Sequence, residues 1–193
     1  MTEKQLIQKI RERDETAFRE MVELYQVRIV RTCYSIIHNQ EDSEEIAQDV
    51  FIELYEKISG FRGTSKLSTW LYRVAINKSL NFIRRQNRMK FVEQIGNILS
   101  SKDKNIPDAV GKIPTKEQET LPEITERRKI LHAAIDTLPL NQKITFTLHQ
   151  YDELSYKEIA EVMNISLSSV ESLIHRAKKN LQKKLVNYYK TMF

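Results

Sequence analysis

The sequence predicts an all-α protein made of two small helical domains joined by a flexible linker. Apolar residues recur at helical spacing on both sides of residues 96–122, and no window shows the alternation of a strand. Residues 96–122 are polar and hold three of the four prolines and two of the four glycines. Because this composition is typical of connecting segments, we expect domains at 1–94 and 124–193 and a linker at 95–123.

The N-terminal domain begins with three expected helices. Leu6, Ile7 and Ile10 share one face of the first, and helical spacing continues from 18 to 37 in the second. The third helix follows Ser43. Its apolar stripe consists of Ile46, Val50, Leu54 and Ile58.

The remaining helices lie on both sides of the linker. A fourth helix is expected to begin at a Thr69 or Ser68 cap and to run from Trp70 into the Arg84–Arg85 pair. In the C-terminal domain we expect helices at 126–137, about 140–150, 155–163 and 167–187.

Several classes of protein are excluded by composition. The single cysteine, Cys33, rules out a disulfide framework and a cysteine-clustered zinc site. No apolar run approaches the roughly 18 residues of a membrane span, and residues 1–15 are too charged for a signal peptide. We therefore expect a cytoplasmic protein without membrane insertion. The four histidines are scattered, and no nucleophile, metal-ligand set or phosphate-cradling glycine loop is visible, so we expect no enzyme, no cofactor and no metal.

The formal net charge of +5 hides three segments of strong and opposite charge. Residues 41–56 contain seven acidic and no basic residues, whereas residues 57–92 contain nine basic and no acidic ones. Residues 168–193 contain six basic residues and one acidic residue. Each basic segment is either a solvated face or a phosphate-binding surface. The acidic segment is either a solvated face or a docking face for a basic protein, and it cannot bind DNA.

Aromatic residues lie among the cations of the longer basic segment. Phe61, Trp70, Tyr72 and Phe82 are interleaved with seven basic side chains. Aromatic rings stack on unpaired bases while cations neutralise phosphates, which is the combination that single-strand binding requires. The alternative is that Trp70 and Phe82 are core residues of the helical domain. For Trp70, Leu71 and Val74, partial burial is the better interpretation. The loop residue Phe61 and the polar Asn77 are the better candidates for ligand contacts.

Residues 156–175 are typical of a helix-turn-helix. Apolar residues occupy the positions at which two short helices would pack, Ala160 allows a close crossing, and Asn164 tolerates the left-handed backbone of the turn. Ser166 and Ser168 could cap the second helix. The apolar positions are Ile159, Met163, Ile165, Val170 and Leu173. The alternative is a helical hairpin in a small bundle.

Three segments together resemble the extracytoplasmic-function (ECF) sigma factors of the sigma-70 family. The segment FRGTSKLSTWLYRVAINKSLNFIRRQNR is similar to their region two, and the preceding EEIAQDVFIELYEKI is similar to their polymerase-binding helix. The segment LPLNQKITFTLHQYDELSYKEIAEVMNISLSSVESLIHRAKKNL is similar to their region four. Both motifs occur in the family's order, and the family's third region is absent, as is usual in this group.

This resemblance implies a sigma factor that binds core RNA polymerase, through its β′ clamp and β flap, and directs it to promoter DNA in duplex and single-stranded form. The implied clamp-binding residues are Glu45, Gln48, Asp49, Phe51 and Glu53. The implied loop that holds a flipped −10 base comprises Phe61, Arg62, Gly63, Thr64, Ser65 and Lys66. The implied −10 helix contributes Arg73, Asn77, Lys78, Asn81, Arg84, Arg85 and Arg88. The implied −35 helix contributes Ser168, Ser169, Glu171, Ser172, His175, Arg176 and Lys179.

Some expectations depend on the family alone, and some residues depart from it. An anti-sigma factor is expected from family habit. Many relatives carry a basic residue at Glu171, an arginine at Leu173 and a glycine at Asn164, so their −35 sequence preference does not transfer to this chain. Two alternatives remain: a DNA-binding regulator that never joins polymerase, and a nucleic-acid-modifying enzyme, against which the lack of a catalytic constellation argues.

Overall fold

The computed structural model describes the backbone of residues 2–61, 63, 65–100 and 122–192. Side chains are described for these residues except 90–100, 122–128, 187 and 189–192. The described helices are α1 (Glu3–Arg11), α2 (Glu15–Ile37), α3 (Gln40–Lys57), a 3-10 turn (Ile58–Gly60), α4 (Leu67–Ser100), α5 (Pro122–Asp136), α6 (Leu140–Gln150), α7 (Tyr156–Met163) and α8 (Leu167–Met192). The described ranges contain no strand, so the predicted all-α class is confirmed.

Polar side chains fix where the N-terminal helices begin. The Thr2 amide donates to Gln5 Oε1 at 2.9 Å, within a capping box that opens α1. Asp14 Oδ1 accepts from the Ala17 amide at 3.0 Å and caps α2. Asn39 caps α3, so this helix starts four residues earlier than a start after Ser43 would give, and Ser43 is buried within it.

The predicted cap of α4 is wrong. The helix begins at Leu67, so neither Ser68 nor Thr69 precedes it, and Thr69 is buried. The Leu67 amide instead donates to Glu3 Oε1 of α1 at 3.0 Å. A carboxylate at a helix N-terminus is favourable because it accepts an orphan amide and opposes the positive end of the dipole. Because the capping residue lies 64 residues upstream, the sequence around Leu67 gives no sign of it.

The helices on the two sides of the linker do not end at the predicted domain limits. Helix α4 continues to Ser100, beyond the expected limit at 94, and α5 begins at Pro122. Proline suits a first helical position because its missing amide would have no partner there. Residues 101–121 of the predicted linker lie outside the described residues, and the division into domains stays a prediction.

The main hydrophobic cluster joins both halves of the chain. It contains the buried faces of α1–α4, including the predicted stripe Ile46, Val50, Leu54 and Ile58. It also contains Ile144 and Leu148 of α6, Ile159 and Val162 of α7, and Val170 and Ile174 of α8. A smaller cluster comprises Ala134, Ile135, Leu138, Phe146, Ala177 and Leu181.

Helix α6 lies between these two clusters. Every residue from Gln142 to Leu148 is buried. A helix buried on all sides has neighbours on all sides, here α2 of the N-terminal half and α7 and α8 of its own half. The sequence leaves the relative placement of the two halves open, whereas the structure packs them together.

Candidate polymerase-docking and nucleic-acid surfaces

The acidic helix α3 presents one continuous exposed face. Glu45, Gln48 and Asp49, all predicted clamp-binding residues, are exposed on it. Ile52 and Glu56 continue the same face one and two turns further along, and Ile52 is 56% exposed. An exposed isoleucine within an acidic face was not singled out from the sequence, although Ile52 lies outside the predicted apolar stripe and helical spacing places it on the side opposite Val50.

Two of the predicted clamp-binding residues are placed elsewhere. Phe51 is 6% exposed and belongs to the main hydrophobic cluster, so its assignment to an exposed docking face is wrong. Glu53 binds Lys57 at 2.7 Å and Lys78 at 3.2 Å. The hydrogen bond from Lys57 holds the pKa of Glu53 below its usual value, followed in effect by Lys78.

Lys78 connects α4 to α3. Its ammonium lies 3.2 Å from Glu53 and 3.6 Å from Asp49, with the side chain 29% exposed. The structure thus gives Lys78 carboxylate partners instead of the predicted phosphate. These ion pairs link the basic helix α4 to the acidic helix α3.

The loop between the 3-10 turn and α4 is held at both ends by α1. Arg11 donates from Nε to the Ile58 carbonyl at 3.3 Å and from Nη2 to the Phe61 carbonyl. Glu3 accepts from the Leu67 amide at the other end. Within the loop Gly63 has φ +67°, a left-handed conformation that glycine adopts without strain. Phe61 is half-buried against the core, and the predicted residues Arg62 and Thr64 lie outside the described residues.

Arg11→Ala is expected to lower the free energy of unfolding by about 1–3 kcal/mol, because two carbonyls lose a charged donor. Urea unfolding of the full chain measures this loss. Lys9→Ala is the control, since Lys9 is exposed in the last turn of the same helix. Equal stability of the two variants would show that Arg11 does not hold the loop.

Helix α4 exposes a ladder of polar and basic side chains. Arg73 is half-buried, whereas the remaining ladder residues are exposed: Asn77, Asn81, Arg84, Arg85 and Arg88. Arg84 Nη1 lies 3.5 Å from Asn81 Oδ1. The amides and guanidiniums can donate to phosphates and to base edges.

Not all of the predicted aromatic platforms are accessible. Tyr72 is 1% exposed and belongs to the core, so the interpretation of Tyr72 as a stacking platform is wrong. Burial raises the pKa of Tyr72, and the charge of Asp152 raises it further. Trp70 and Phe82 are half-buried against the same core.

Helices α7 and α8 form a helix-turn-helix whose turn has the predicted chemistry. Asn164 has φ 54° and ψ 49°, the left-handed conformation predicted for the turn. The Ser169 amide donates to Ser166 Oγ at 3.2 Å, so Ser166 caps α8 as predicted. Ser155 and Glu158 form a capping box at the start of α7.

The core of the helix-turn-helix differs in part from the prediction. Ile159 and Val170 are buried as expected. Met163, Ile165 and Leu173 are only half-buried, and Val162 and Ile174 are buried instead. Val162 precedes Met163 and Ile174 follows Leu173, so in each helix an apolar neighbour of the predicted residue is the more buried one.

The predicted −35 residues of α8 are all exposed: Ser168, Ser169, Glu171, Ser172, His175, Arg176 and Lys179. Arg176 Nε donates to the Ser172 carbonyl at 3.2 Å, one turn before it. Polar groups thus occupy the first turns and cations the later ones. This is the arrangement of a helix whose start reads base edges and whose end contacts phosphates.

A cavity of about 860 Å³ lies between α4, α6 and the helix-turn-helix, and it brings the two predicted nucleic-acid surfaces together. Helix α4 contributes Arg73, Ile76, Asn77 and Leu80 to its wall. Helix α8 contributes Ser168, Ser169, Ser172, Leu173 and Arg176. Residues predicted to contact the −10 and −35 elements therefore face each other across one cleft.

Polar contacts across this junction join specific residues of the two halves. Lys66 Nζ lies 2.6 Å from Glu158 Oε1, and Arg73 Nη2 donates to the Glu161 carbonyl at 2.6 Å. The hydrogen bond from Lys66 lowers the pKa of Glu158 to about 2. Lys143 Nζ of α6 lies 2.6 Å from His38 Nε2, and burial, followed by the charge of Lys143, lowers the pKa of His38.

A buried ion pair completes the junction. Arg31 Nη2 of α2 donates to Asp152 Oδ1 and, at 3.0 Å, to the Tyr151 carbonyl. The Asp152 side chain is fully buried, and Thr32 Oγ1 lies 3.4 Å from its other oxygen. Burial raises the pKa of Asp152, although Arg31 opposes this effect.

Two absences apply to the part of the chain that the structure describes. No group of three or more His, Cys, Asp or Glu residues there could hold a metal ion. Among the helices searched over the same residues, none combines the length and the apolar character that crossing a membrane requires.

Comparison with known families matches both halves of the chain. Residues 21–89 match Sigma-70 region 2, and residues 128–181 match Sigma-70, region 4. The ECF RNA polymerase sigma-E factor of Haemophilus influenzae is 31% identical over 187 residues, which cover 96% of each chain. The ECF RNA polymerase sigma factor SigW of Bacillus subtilis is 31% identical over 185 residues, which cover 94% of this chain and 96% of SigW.

Solved structures share the fold. CnrH, solved in complex with the cytosolic domain of CnrY, superposes with a TM-score of 0.67 at 18% identity and covers 96% of this chain and 97% of its own. The sigma factor RpoE from Bartonella quintana, solved with the anti-sigma factor NepR, also has a TM-score of 0.67 at 18% identity, over 87% of this chain and 96% of RpoE.

Proposed function

The chain belongs to the ECF sigma factors of the sigma-70 family, which act in transcription initiation, and we propose that it recruits core RNA polymerase to promoters by reading a −35 and a −10 element. The observation that carries this proposal is the division of charge and exposure among three helices. Helix α3 exposes acids, α4 exposes amides and guanidiniums, and α8 exposes hydroxyls followed by cations. Because core polymerase and promoter DNA are in the bacterial cytoplasm, the proposal has the chain act there.

Helix α3 docks on the β′ clamp of polymerase. Glu45, Gln48, Asp49 and Glu56 supply polar contacts, and Ile52 supplies an exposed apolar contact at the centre of the face. A buried apolar contact surrounded by polar groups is the usual anatomy of a protein interface. The β flap is the second polymerase contact that the family resemblance implies, for the C-terminal half.

The loop at 61–66 and helix α4 bind the −10 element. Opening the duplex costs a few kcal/mol for each base extruded, and captured bases can offset this cost when they are stacked and their phosphates are neutralised. The loop residues 61–66 hold one flipped base. Asn77, Asn81, Arg84, Arg85 and Arg88 contact the strand along α4, with Arg73 at the start of the same ladder.

Helix α8 reads the −35 element in the major groove. Ser168, Ser169 and Ser172 are small enough to let the helix approach base edges, and Glu171 can accept from a cytosine amino group. His175, Arg176 and Lys179 lie further along the helix, toward the phosphates.

Transcription on genomic DNA fragments tests the whole proposal. Core polymerase with this chain should give discrete start sites that core polymerase alone does not give. Replacing Ser169 and Ser172 with alanine should weaken these starts while leaving association with polymerase unchanged. A regulator that never joins polymerase would give no start sites and would not co-purify with the enzyme.

Arg84→Ala with Arg85→Ala is expected to weaken single-strand binding and to reduce the slope of log K against log salt by about 1.4–2, since each phosphate contact releases counterions. Fluorescence anisotropy at several salt concentrations measures the slope. The control removes two exposed cations of α1, Lys4→Ala with Lys9→Ala. If this slope were unchanged in the Arg84→Ala, Arg85→Ala variant, the two arginines would not contact phosphates.

An anti-sigma factor is the remaining proposed partner. The sigma factor RpoE of Bartonella quintana was solved with such a protein, and this supports the same class of partner here. Affinity capture of the tagged chain from its native host tests this. Recovery of polymerase without any inhibitor would contradict it.

A further inference from the structure

The cleft between α4, α6 and the helix-turn-helix has the size of a small-molecule site. Its volume of about 860 Å³ lies within the range of about 300–1,000 Å³ that is usual for ligand pockets. Polar side chains on both walls are exposed, among them Asn77 on α4 and Ser169 and Ser172 on α8. A solute can therefore enter the cleft and contact both walls at once.

The charged residues that line the cleft are all cations, as far as the structure describes its walls. They are Arg73 of α4 and Arg176 of α8, and none of the other described lining residues is charged. Arg73 Nη2 donates to the Glu161 carbonyl at 2.6 Å. Arg176 Nε donates to the Ser172 carbonyl at 3.2 Å. Because these acceptors are backbone carbonyls and not carboxylates, both guanidinium charges remain available to an anion.

Arg73 also has an unsatisfied donor. Its Nε is buried and has no hydrogen-bond partner among the described residues. A buried donor without a partner costs free energy, and an acceptor on a ligand would offset that cost. Phosphate oxygens are acceptors that guanidinium groups bind well. The α4 wall of the cleft is therefore suited to a phosphate group.

The floor of the cleft is apolar. It is formed by Ile76 of α4, Ile144 of α6 and Val162 of α7, which are 4%, 1% and 3% exposed. Half-buried apolar side chains extend it: Leu80, Met163, Ile165 and Leu173. Amides and hydroxyls line the cleft as well: Asn77, Asn141, Asn164, Ser168, Ser169 and Ser172. An apolar surface beside hydrogen-bonding groups accommodates a nucleobase, because a base is apolar on its faces and polar at its edges.

The two arginines and the apolar floor together indicate the class of ligand. A two-ring base covers more of the floor than a one-ring base does, and a diphosphate offers one phosphate to each arginine. We propose that the cleft binds a purine nucleoside diphosphate, with the base on the apolar floor and the phosphates on Arg73 and Arg176.

This site differs from the proposed promoter contacts in the elements that it uses. The nucleotide is bound from both halves of the chain, through α4 and α8 together. A −10 strand would be bound by α4 and the loop at 61–66, without α8. Nucleotide binding requires neither polymerase nor promoter DNA, so its failure and the failure of the proposed function are separate results.

Isothermal titration calorimetry of the full chain with ADP and with GDP tests the site, without polymerase, DNA or divalent metal. We expect one nucleotide per chain. The corresponding nucleoside and pyrophosphate each supply only one part of the ligand, so each should bind at least tenfold more weakly. The proposal would be overturned if neither nucleotide bound. It would also be overturned if pyrophosphate bound as tightly as the nucleotides, because the floor would then make no contribution.

Substitutions on both walls show whether the nucleotide binds in the cleft. Arg176→Ala and Arg73→Ala should each weaken binding at least tenfold, since each removes a charged hydrogen-bond donor. Arg176→Ala is the sharper test, because Arg176 is exposed and its Nε donates within its own helix, so the fold should persist. Lys183→Ala is the control, since Lys183 is an exposed cation two turns further along α8.

Two patterns among these variants would contradict the cleft site. If Arg73→Ala weakened binding and Arg176→Ala did not, the nucleotide would bind to α4 alone, as a fragment of a strand would. If Lys183→Ala weakened binding as much as Arg176→Ala, the attraction would depend on the net charge of the chain and not on the cleft.

Discussion

Glu45→Lys combined with Asp49→Lys is expected to abolish co-purification of the chain with core RNA polymerase and, with it, promoter-directed transcription. Both carboxylates are exposed on one face of α3, with Glu45 two turns and Asp49 one turn before Ile52. Under the proposed docking, reversal converts two attractive contacts with a basic partner into two repulsive ones. Losing close charge pairs at an interface costs about 2–5 kcal/mol each, which is enough to lose the complex during purification.

The control for this reversal carries the same change of charge on another helix. Glu20→Lys with Glu23→Lys alters two exposed acids of α2 and should leave co-purification intact. Loss of polymerase binding in both double variants would point to net charge instead of the α3 face. Retention in both would remove α3 from the proposed interface.

The structure also decides which acids are worth reversing. Glu53 is suggested by sequence alone as readily as Asp49, but it binds Lys57 at 2.7 Å and Lys78 at 3.2 Å. Asp49 makes one longer contact, 3.6 Å to Lys78, and Lys78 keeps its Glu53 partner when Asp49 is reversed. Reversal of Glu53 would break the connection between α3 and α4, so a loss of function could not be assigned to polymerase. The Glu45 side chain is exposed on the outer face of α3, so its reversal tests that face directly.

Local chemistry is the part of this molecule that could be predicted from sequence. Helical spacing is enough to find Ile46, Val50 and Leu54, because one stripe of α3 packs on one neighbour. The left-handed turn at Asn164 and the Ser166 cap follow from the residues themselves. The exposed faces of α4 and α8 follow from their charge in the same way.

Long-range packing could not be predicted from the sequence. Phe51 and Tyr72 are buried because a second helix covers a flank beside the main stripe, and no periodicity shows where such a neighbour lies. Glu3 caps α4 and Arg11 holds the preceding loop from positions far away in sequence. The cleft between α4 and the helix-turn-helix depends on α6 packing against α2, which joins segments separated by the linker.

Leu148→Ala is expected to lower the free energy of unfolding by about 2–5 kcal/mol and to loosen the N-terminal half as well, although Leu148 lies in the C-terminal half. Leu148 is fully buried in the cluster that joins α2–α4 to the helix-turn-helix. Phe146→Ala is the comparison, because Phe146 lies on the same helix but packs in the smaller cluster of α5, α6 and α8.

Hydrogen exchange separates the two effects, because local opening reports which elements share a core. Amides of α2 and α4 should exchange faster in Leu148→Ala and stay protected in Phe146→Ala, where faster exchange is confined to α5, α6 and α8. If α2 and α4 kept their protection in both variants, the two halves would unfold independently. The contacts of Leu148 in the shared cluster would then contribute little to the stability of the N-terminal half.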